Sequence, residues 1–568
     1  MFSRRIVPLT VVLVLVAALT APAGAQAPEQ DGAAPIQGRH TGPDYNDGRL
    51  LPFAEGSRTR AARATSGDFQ ATAKIGDRKF WFALDDELGE IYVKPFRLRG
   101  KGQHVEVWVT PDLTFPAGDC RNGDRTQVTR AQISYLVKQF DNVIYPKMSR
   151  AFSRPPDRNG SDSIAHEFIN VGRRYYRGDG DNIVVLVDNV RDDNYYDTNN
   201  ELNNPYIIGF FYSPFNDLTD RNVMTIDGFD WIHRTGANPI DEPDPIDICN
   251  SKPARPFLIE ETFAHEYQHL LMHYEDRNET TWLNEGMADW AQTVAGYSQP
   301  ARRIDEPQFD RHIQCFLGFC GVASAFNPNP SSGGGPENSL TIWEDQPPEE
   351  ILAEYGATYT FMEFLSSRHG RSFMKSMHRD NANGLKSLQK LLTNINAQTT
   401  AAEVLIDWAA AMALDRVLDA GAALTGADPA DLTASTLSAA INWDSPETHS
   451  TAGAPPNGSD YVRLRDAAGL PLGAAAIDTI SFQGTPATGK TFTVRLVAYD
   501  NAGTTAWAGV LPLDAASTGS LTAEQVDALI GSTAETVAAI VTYHDQSETE
   551  TTYAPYQLTV NGVLQPGG

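Results

Sequence analysis

The chain has 568 residues, too many for one ordinary hydrophobic core, so two or three domains are expected. With 41% hydrophobic and 21% charged residues it has the composition of a globular protein, which excludes a coiled coil or a disordered acidic tail. The formal net charge of −27, with no concentrated basic face, argues against a nucleic-acid partner. The acidity is read as keeping an exported protein soluble.

Arg4 and Arg5 precede an apolar stretch from Ile6 to Leu19, and Ala23-Gly24-Ala25 offers a small-x-small cleavage pattern. Residues 1–25 therefore read as a signal peptide, because the run is short for a membrane span and is interrupted by Pro8 and Thr10. No later stretch approaches the length of a span, so the expected mature chain has no integral membrane segment and is secreted. Residues 26–68 are aperiodic and rich in Gly, Pro, Ala and Arg, as in a linker or pro-segment. Four cysteines in an exported chain suggest two disulfides. Cys315 with Cys320 makes a plausible local loop and leaves Cys120 with Cys249, although three connectivities are possible.

A small N-terminal β unit is expected over 69–128, with strands at Lys79–Leu84 and Val105–Val109. From Thr129 the apolar residues Ile133, Leu136, Val137, Phe140, Val143 and Ile144 recur at helical steps. Strands are expected at 182–187, 207–212 and 223–226. Two helices follow, then a Gly/Pro/Ser loop at 327–338, a helix from Pro348 to about His369, and more helix to about Leu424. Strands followed by helices over 129–450 indicate an α+β domain. After about His449 the composition shifts toward Ala, Gly, Thr and Val with short β-rich runs. Residues 452–568 are therefore read as a separate β-sandwich-like accessory domain.

The chemistry concentrates in Phe263-Ala264-His265-Glu266-Tyr267-Gln268-His269. Phe263, Tyr267, Leu270, Leu271 and Tyr274 form a core-facing helical stripe. His265 and His269, one turn apart on another face, can converge on one metal, and Glu266 between them can take a proton from water. Thr281-Trp282-Leu283-Asn284-Glu285-Gly286-Met287-Ala288-Asp289 supplies the rest. Glu285 is the third ligand that a zinc site with an open fourth position requires. Asp289, four residues on, falls where a carboxylate can take the free ring N–H of a ligating histidine. His273 lies too far along the helix to share the metal, and His166-Glu167 lacks a second histidine. The metzincin pattern is disfavoured by Met272 and Glu275, where it needs glycine and histidine.

His265-Glu266-Tyr267-Gln268-His269-Leu270 with Trp282-Leu283-Asn284-Glu285-Gly286 resembles the gluzincin metallopeptidases, and within them the hyicolysin-like secreted bacterial peptidases. Asn338-Ser339-Leu340-Thr341-Ile342-Trp343-Glu344, Tyr355-Gly356-Ala357-Thr358-Tyr359 and the acidic stretch from Leu186 to Asp197 add to the likeness, which spans about residues 130–440. Immune inhibitor A peptidases are a neighbouring resemblance, with glycine where this chain has Gln268. The resemblance implies a zincin-like catalytic domain, Zn2+ as cofactor, and protein or peptide substrates. It also implies hydrolysis by a zinc-activated water with Glu266 as general base. A tyrosine or histidine would stabilise the oxyanion; Tyr355 is the first candidate and Tyr359 the second. No G-x-M-E-N-type segment precedes His265, which favours an endopeptidase.

The Asp/Asn-rich stretch from Asp181 to Asn200 raises Ca2+ as a second cofactor, but it lacks EF-hand spacing. A solvated turn is expected there and again at 241–247. The competing function is a catalytically silent zincin-like adhesin or binding protein that uses the C-terminal β-domain. A serine hydrolase is disfavoured because no G-x-S-x-G elbow occurs.

Overall fold

A computed structural model describes residues 49–54, 73–197, 206–244, 246–247, 250–303, 310–323, 330, 333–344, 346 and 350–567. The expected signal peptide and most of the linker lie outside these residues. So does Cys249, the expected partner of Cys120.

The protein is α+β. Strands β1 (Arg78–Asp85), β2 (Glu90–Lys101), β3 (Val105–Val109), β4 (Ile183–Asp188), β5 (Gly209–Phe210) and β6 (Asn222–Asp227) form one sheet in the order β1-β2-β3-β4-β6-β5. The strands expected as a separate N-terminal β unit are thus half of the central sheet. The junction is a parallel pairing of β3 with β4, Val105 opposite Ile183 through Val109 opposite Val187. A parallel pair needs a long crossover, here α1 (Arg130–Gln139), a π-helical turn over 140–144 and α2 (Tyr145–Ala151). No local sequence signal reports such a pairing.

Long helices cover one face of the sheet, and loops with the short helices Ala165–Phe168 and Ser213–Thr219 the other, so β4 is apolar from Ile183 to Val187, as buried parallel strands are, before it ends in Asp188. Ile183, Val185 and Val187 join the large core on the helical side, while Val184 and Leu186 join the smaller core opposite. Thr129 caps α1 by accepting from the Gln132 N–H.

After the one-turn helix Trp231–Arg234 come α3 (Leu258–Glu275), α4 (Thr281–Ala295), α5 (Arg311–Phe316), α6 (Ile351–Met377) and α7 (Gly384–Asn394). α6 breaks at Gly370, whose φ of 78° no helix accepts, close to the expected end at His369. α8 (Ala401–Asp419) comes next, opened by a capping box between Thr400 and Glu403. The chain then enters a short strand, β7 (Ala423–Thr425), where helix was expected.

The C-terminal region has two four-stranded sheets packed around one core. The first runs β13 (Thr536–His544), β10 (Thr491–Tyr499), β11 (Thr505–Leu511), β7; the second runs β12 (Thr518–Thr522), β9 (Thr479–Gly484), β14 (Tyr556–Val560), β15 (Val563–Leu564). This region is stitched to what precedes it. β7 pairs in parallel with β11. Val497, Ala506, Ala508, Ala538 and Ile540, on the back of the first sheet, belong to the large core of the helical region. Arg495 donates to Asp407 of α8 at 3.0 Å, and Asp407 also takes Arg368 of α6 at 2.9 Å.

Cys315 and Cys320 are bonded across a five-residue separation. No helix among the described residues is long and apolar enough to cross a membrane.

Candidate metal centre

α3 and α4 pack against each other and present their polar residues to one point. The apolar stripe of α3 faces the core as expected: Phe263 stacks on Phe140 at 4.8 Å and Tyr267 meets the same ring edge-on at 5.2 Å. That packing turns His265 and His269 toward α4. Leu283, Met287, Trp290 and Val294 bury the other side of α4 and turn Glu285 back toward the histidines. Gly286 lets α4 approach α6 closely, since a Cβ there would lie 2.9 Å from Met362 Cγ and 3.0 Å from the Thr358 carbonyl oxygen.

The atoms that meet are His265 Nε2, His269 Nε2 and Glu285 Oε2, separated by 3.0 Å between the nitrogens and by 3.2 and 3.3 Å from each to the oxygen. All three residues are buried. Two further bonds fix the tautomers. His265 Nδ1 lies 2.9 Å from Asp289 Oδ1, and His269 Nδ1 lies 3.0 Å from Asn284 Oδ1. Both partners are acceptors, so both Nδ1 atoms carry the proton and both Nε2 atoms present lone pairs inward. The Glu285 carboxylate meets the two imidazole nitrogens and shares a hydrogen bond with His269. With both Nδ1 protons turned outward, the two Nε2 atoms and the carboxylate call for positive charge at their centre, which a proton on His269 or a metal ion supplies. His265, His269 and Glu285 can therefore hold a metal ion.

The ionisation equilibria express the same demand for positive charge. Burial pushes Glu285 up to about 7 and Asp289 up to about 6. Burial works to lower the His269 imidazole, but the Glu285 carboxylate beside it holds the ring up at about 9. Burial also lifts Glu266 well above the usual carboxylate range, with the Glu285 charge adding to the rise and His269 opposing it.

Glu266 sits beside the sheet's outer strand. The Phe211 N–H, just past β5, donates to its carboxylate. Gly209 makes that approach possible, since a Cβ there would meet Thr262 at 2.7 Å and Glu266 Cγ at 3.2 Å.

Asp289 does more than expected. Besides His265 it takes Gln292 Nε2 at 2.7 Å and His312 Nδ1 at 2.8 Å. His312 stacks on Tyr355 at 4.8 Å, and Tyr355 lies 6.4 Å ring to ring from His265. Tyr355 is thus near the site, packed between His312 and the edge of Trp343. Tyr359 is bound at its hydroxyl to Thr293 at 2.6 Å. Gly356 explains its own place in the motif, because a Cβ there would collide with the His312 carbonyl of α5.

Sequence reasoning missed Asn284 and His312. Asn284 lay inside the quoted motif, directly before Glu285. His312 is a lone histidine with no local pattern to mark it.

The remaining candidates resolve differently. His273 packs near Phe211 and takes no part in the metal group, and burial lowers it to about 4. His166 lies on a one-turn helix, Ala165–Phe168. The stretch at 181–197 is not a solvated turn: Asp188, Asp192 and Asn194 are buried. Asp192 accepts from the Ile207 and Tyr195 N–H groups, both at 2.7 Å, and Asp188 is paired with Lys94. Among the described residues, the group of histidines and carboxylates close enough together to hold a metal is His265, His269 and Glu285. The 241–247 turn is mostly exposed, as expected, with Asp244 accepting from its own loop.

No family model matches the sequence, and comparison with curated proteins finds no match.

Proposed function

We propose that this protein is a zinc-dependent peptidase, secreted, with His265, His269 and Glu285 as metal ligands and Glu266 as general base. The observation that carries the reading is the convergence of two imidazoles, each held by its Nδ1, and one buried carboxylate at a single point. Zinc fits its dimensions: bonds of about 2.0–2.1 Å around a tetrahedral ion give ligand–ligand edges of about 3.3–3.4 Å. The observed edges run from 3.0 to 3.3 Å. Three protein ligands leave one tetrahedral position for substrate or water, as catalytic zinc sites do.

The metal supplies Lewis acidity and lowers the pKa of water. The rest of the work falls to the protein. Glu266, held by the Phe211 N–H, accepts the proton of the attacking water and passes it to the leaving amine. Its raised pKa suits both halves of that transfer. Asp289 and Asn284 keep the two imidazoles aimed inward through the reaction.

β5 lies at the outer edge of the sheet and runs antiparallel to β6, directly beside Glu266. An extended peptide can align along such an edge by main-chain pairing, which supports an endopeptidase. The Cys315–Cys320 bond agrees with an oxidising compartment and hence with export.

The test is zinc content and casein hydrolysis of the purified mature protein beside Glu266→Gln. Both proteins should hold one zinc, while the variant loses about 10²–10⁴-fold in rate. Zinc without cleavage in the wild type would favour the silent binding protein; no zinc at all would end the reading.

A further inference from the structure

The ligand-bearing turn of α4 is held from the far end of the chain. α4 opens at Thr280 with no side-chain cap, so the N–H groups of its first turn lack the partner that usually steadies a helix start. That turn nevertheless carries Asn284, which orients His269, and Glu285, which is itself a ligand. That turn is held by its buried side chains, Trp282 and Leu283, so a shift of either would move Asn284 and Glu285.

Trp282, in the same turn, is buried and donates its indole N–H to Glu548 Oε2 at 2.9 Å. Glu548 belongs to the loop between β13 and β14. Its other oxygen, Oε1, accepts from the Leu385 N–H at the start of α7 at 2.7 Å. One carboxylate thus ties the first turns of two helices together.

The loop that presents it is stiff. Asp545 accepts from the N–H groups of Ser547, Thr549 and Glu550 at 2.7–2.8 Å and pairs with Lys490. Glu548 itself holds a left-handed φ of 54°. Gly384 is shaped for this contact, because a side chain there would collide with the Glu548 carboxylate.

We propose that Glu548 is a positioning residue for the metal centre: through Trp282 it fixes the first turn of α4 and so the places of Glu285 and Asn284. The C-terminal β-region is then part of the metal site's framework. The inference rests on the metal-centre reading.

The experiment measures zinc affinity, by competition with a chelator, of full-length wild type, Glu548→Ala, Trp282→Phe and the double variant, each below its own melting temperature. Outer partners of metal ligands change affinity 10–100-fold, so each single variant should weaken zinc by about tenfold, near the low end of that range. The double variant should be no weaker than either single one, since both break the same link. Trp282→Phe keeps the packing against Phe361 and carries the test if Glu548→Ala does not fold.

Unchanged zinc affinity in folded variants would overturn the inference, even with a lowered melting temperature, because that pattern belongs to a merely structural contact. Additive losses in the double variant would overturn it too. Failure of the wild type to bind zinc would overturn the metal-centre reading, and this inference with it.

Discussion

Two groups of buried acids lie within this fold, and they are built on opposite plans. At the carboxyl ends of β4 and β6, Asp188, Asp192 and Asp227 are all buried and all satisfied. Asp227 accepts from the Val190 and Phe229 N–H groups at 2.8 and 2.7 Å, Asp192 from two more, and Asp188 faces Lys94. Between α3 and α4, Glu285 is equally buried but meets two imidazole nitrogens where the other acids meet backbone N–H groups or a lysine. Burying a polar group costs free energy unless it is bonded. The first cluster meets that cost with its own backbone and is structural. The second calls for positive charge from a proton or a metal ion, and this is how a binding site differs from a well-packed core.

The comparison is most directly tested at the ligands. Glu285→Ala or His269→Ala should abolish zinc uptake, an effect beyond the roughly 100-fold ceiling for outer partners; metal content by emission spectroscopy reads it. Asp289→Asn leaves the ligands intact but weakens the hold on His265 and His312, so zinc affinity should fall about 10–100-fold. Asp227→Asn is the matching change in the satisfied cluster. Its amide would turn a donor toward a backbone donor, and denaturant unfolding should show a loss of about 1–3 kcal/mol with zinc affinity unchanged. If Asp227→Asn altered zinc affinity and Asp289→Asn did not, the distinction between the clusters would collapse.

The smallest effect concerns pH. Burial pushes Asp192 up to about 7, above its unfolded value near 3.9. A raised carboxyl favours the folded state below the unfolded pKa, and that contribution is lost as pH rises through the folded pKa. Asp192 should therefore cost stability progressively between about pH 4 and pH 7. Asp192→Asn should flatten the melting-temperature profile over that window, whatever its offset.

The metal group was legible in the sequence because its information is local: two histidines one turn apart, a glutamate on the next helix, and apolar stripes that set which way each helix faces. Asp289 was legible for the same reason, lying one turn from Glu285. The rest depends on contacts the chain makes with distant parts of itself. The β1–β3 strands read as a separate unit because the β3–β4 pairing joins residues 105–109 to 183–187 with no turn between them. β2, β8 (Gly458–Arg463), β9 and the helix Ala523–Ile530 also went unread; β2 is interrupted by Pro95 and by charged residues, and β8 and β9 are only six residues long. The acids at 188–192 read as solvated because composition cannot tell a carboxylate facing water from one facing backbone amides.

The separation of 266 positions between Trp282 and Glu548 also sets an order of events. A helix turn made midway through synthesis receives its anchor only after almost the whole chain has emerged, and closing so long a loop is slow and entropically costly. Before that contact forms, α4 can exist but its ligand-bearing turn stays loose. The site between α3 and α4 therefore tightens last, so that a truncated or half-made chain would carry all four residues of the motif without the arrangement that makes them work together.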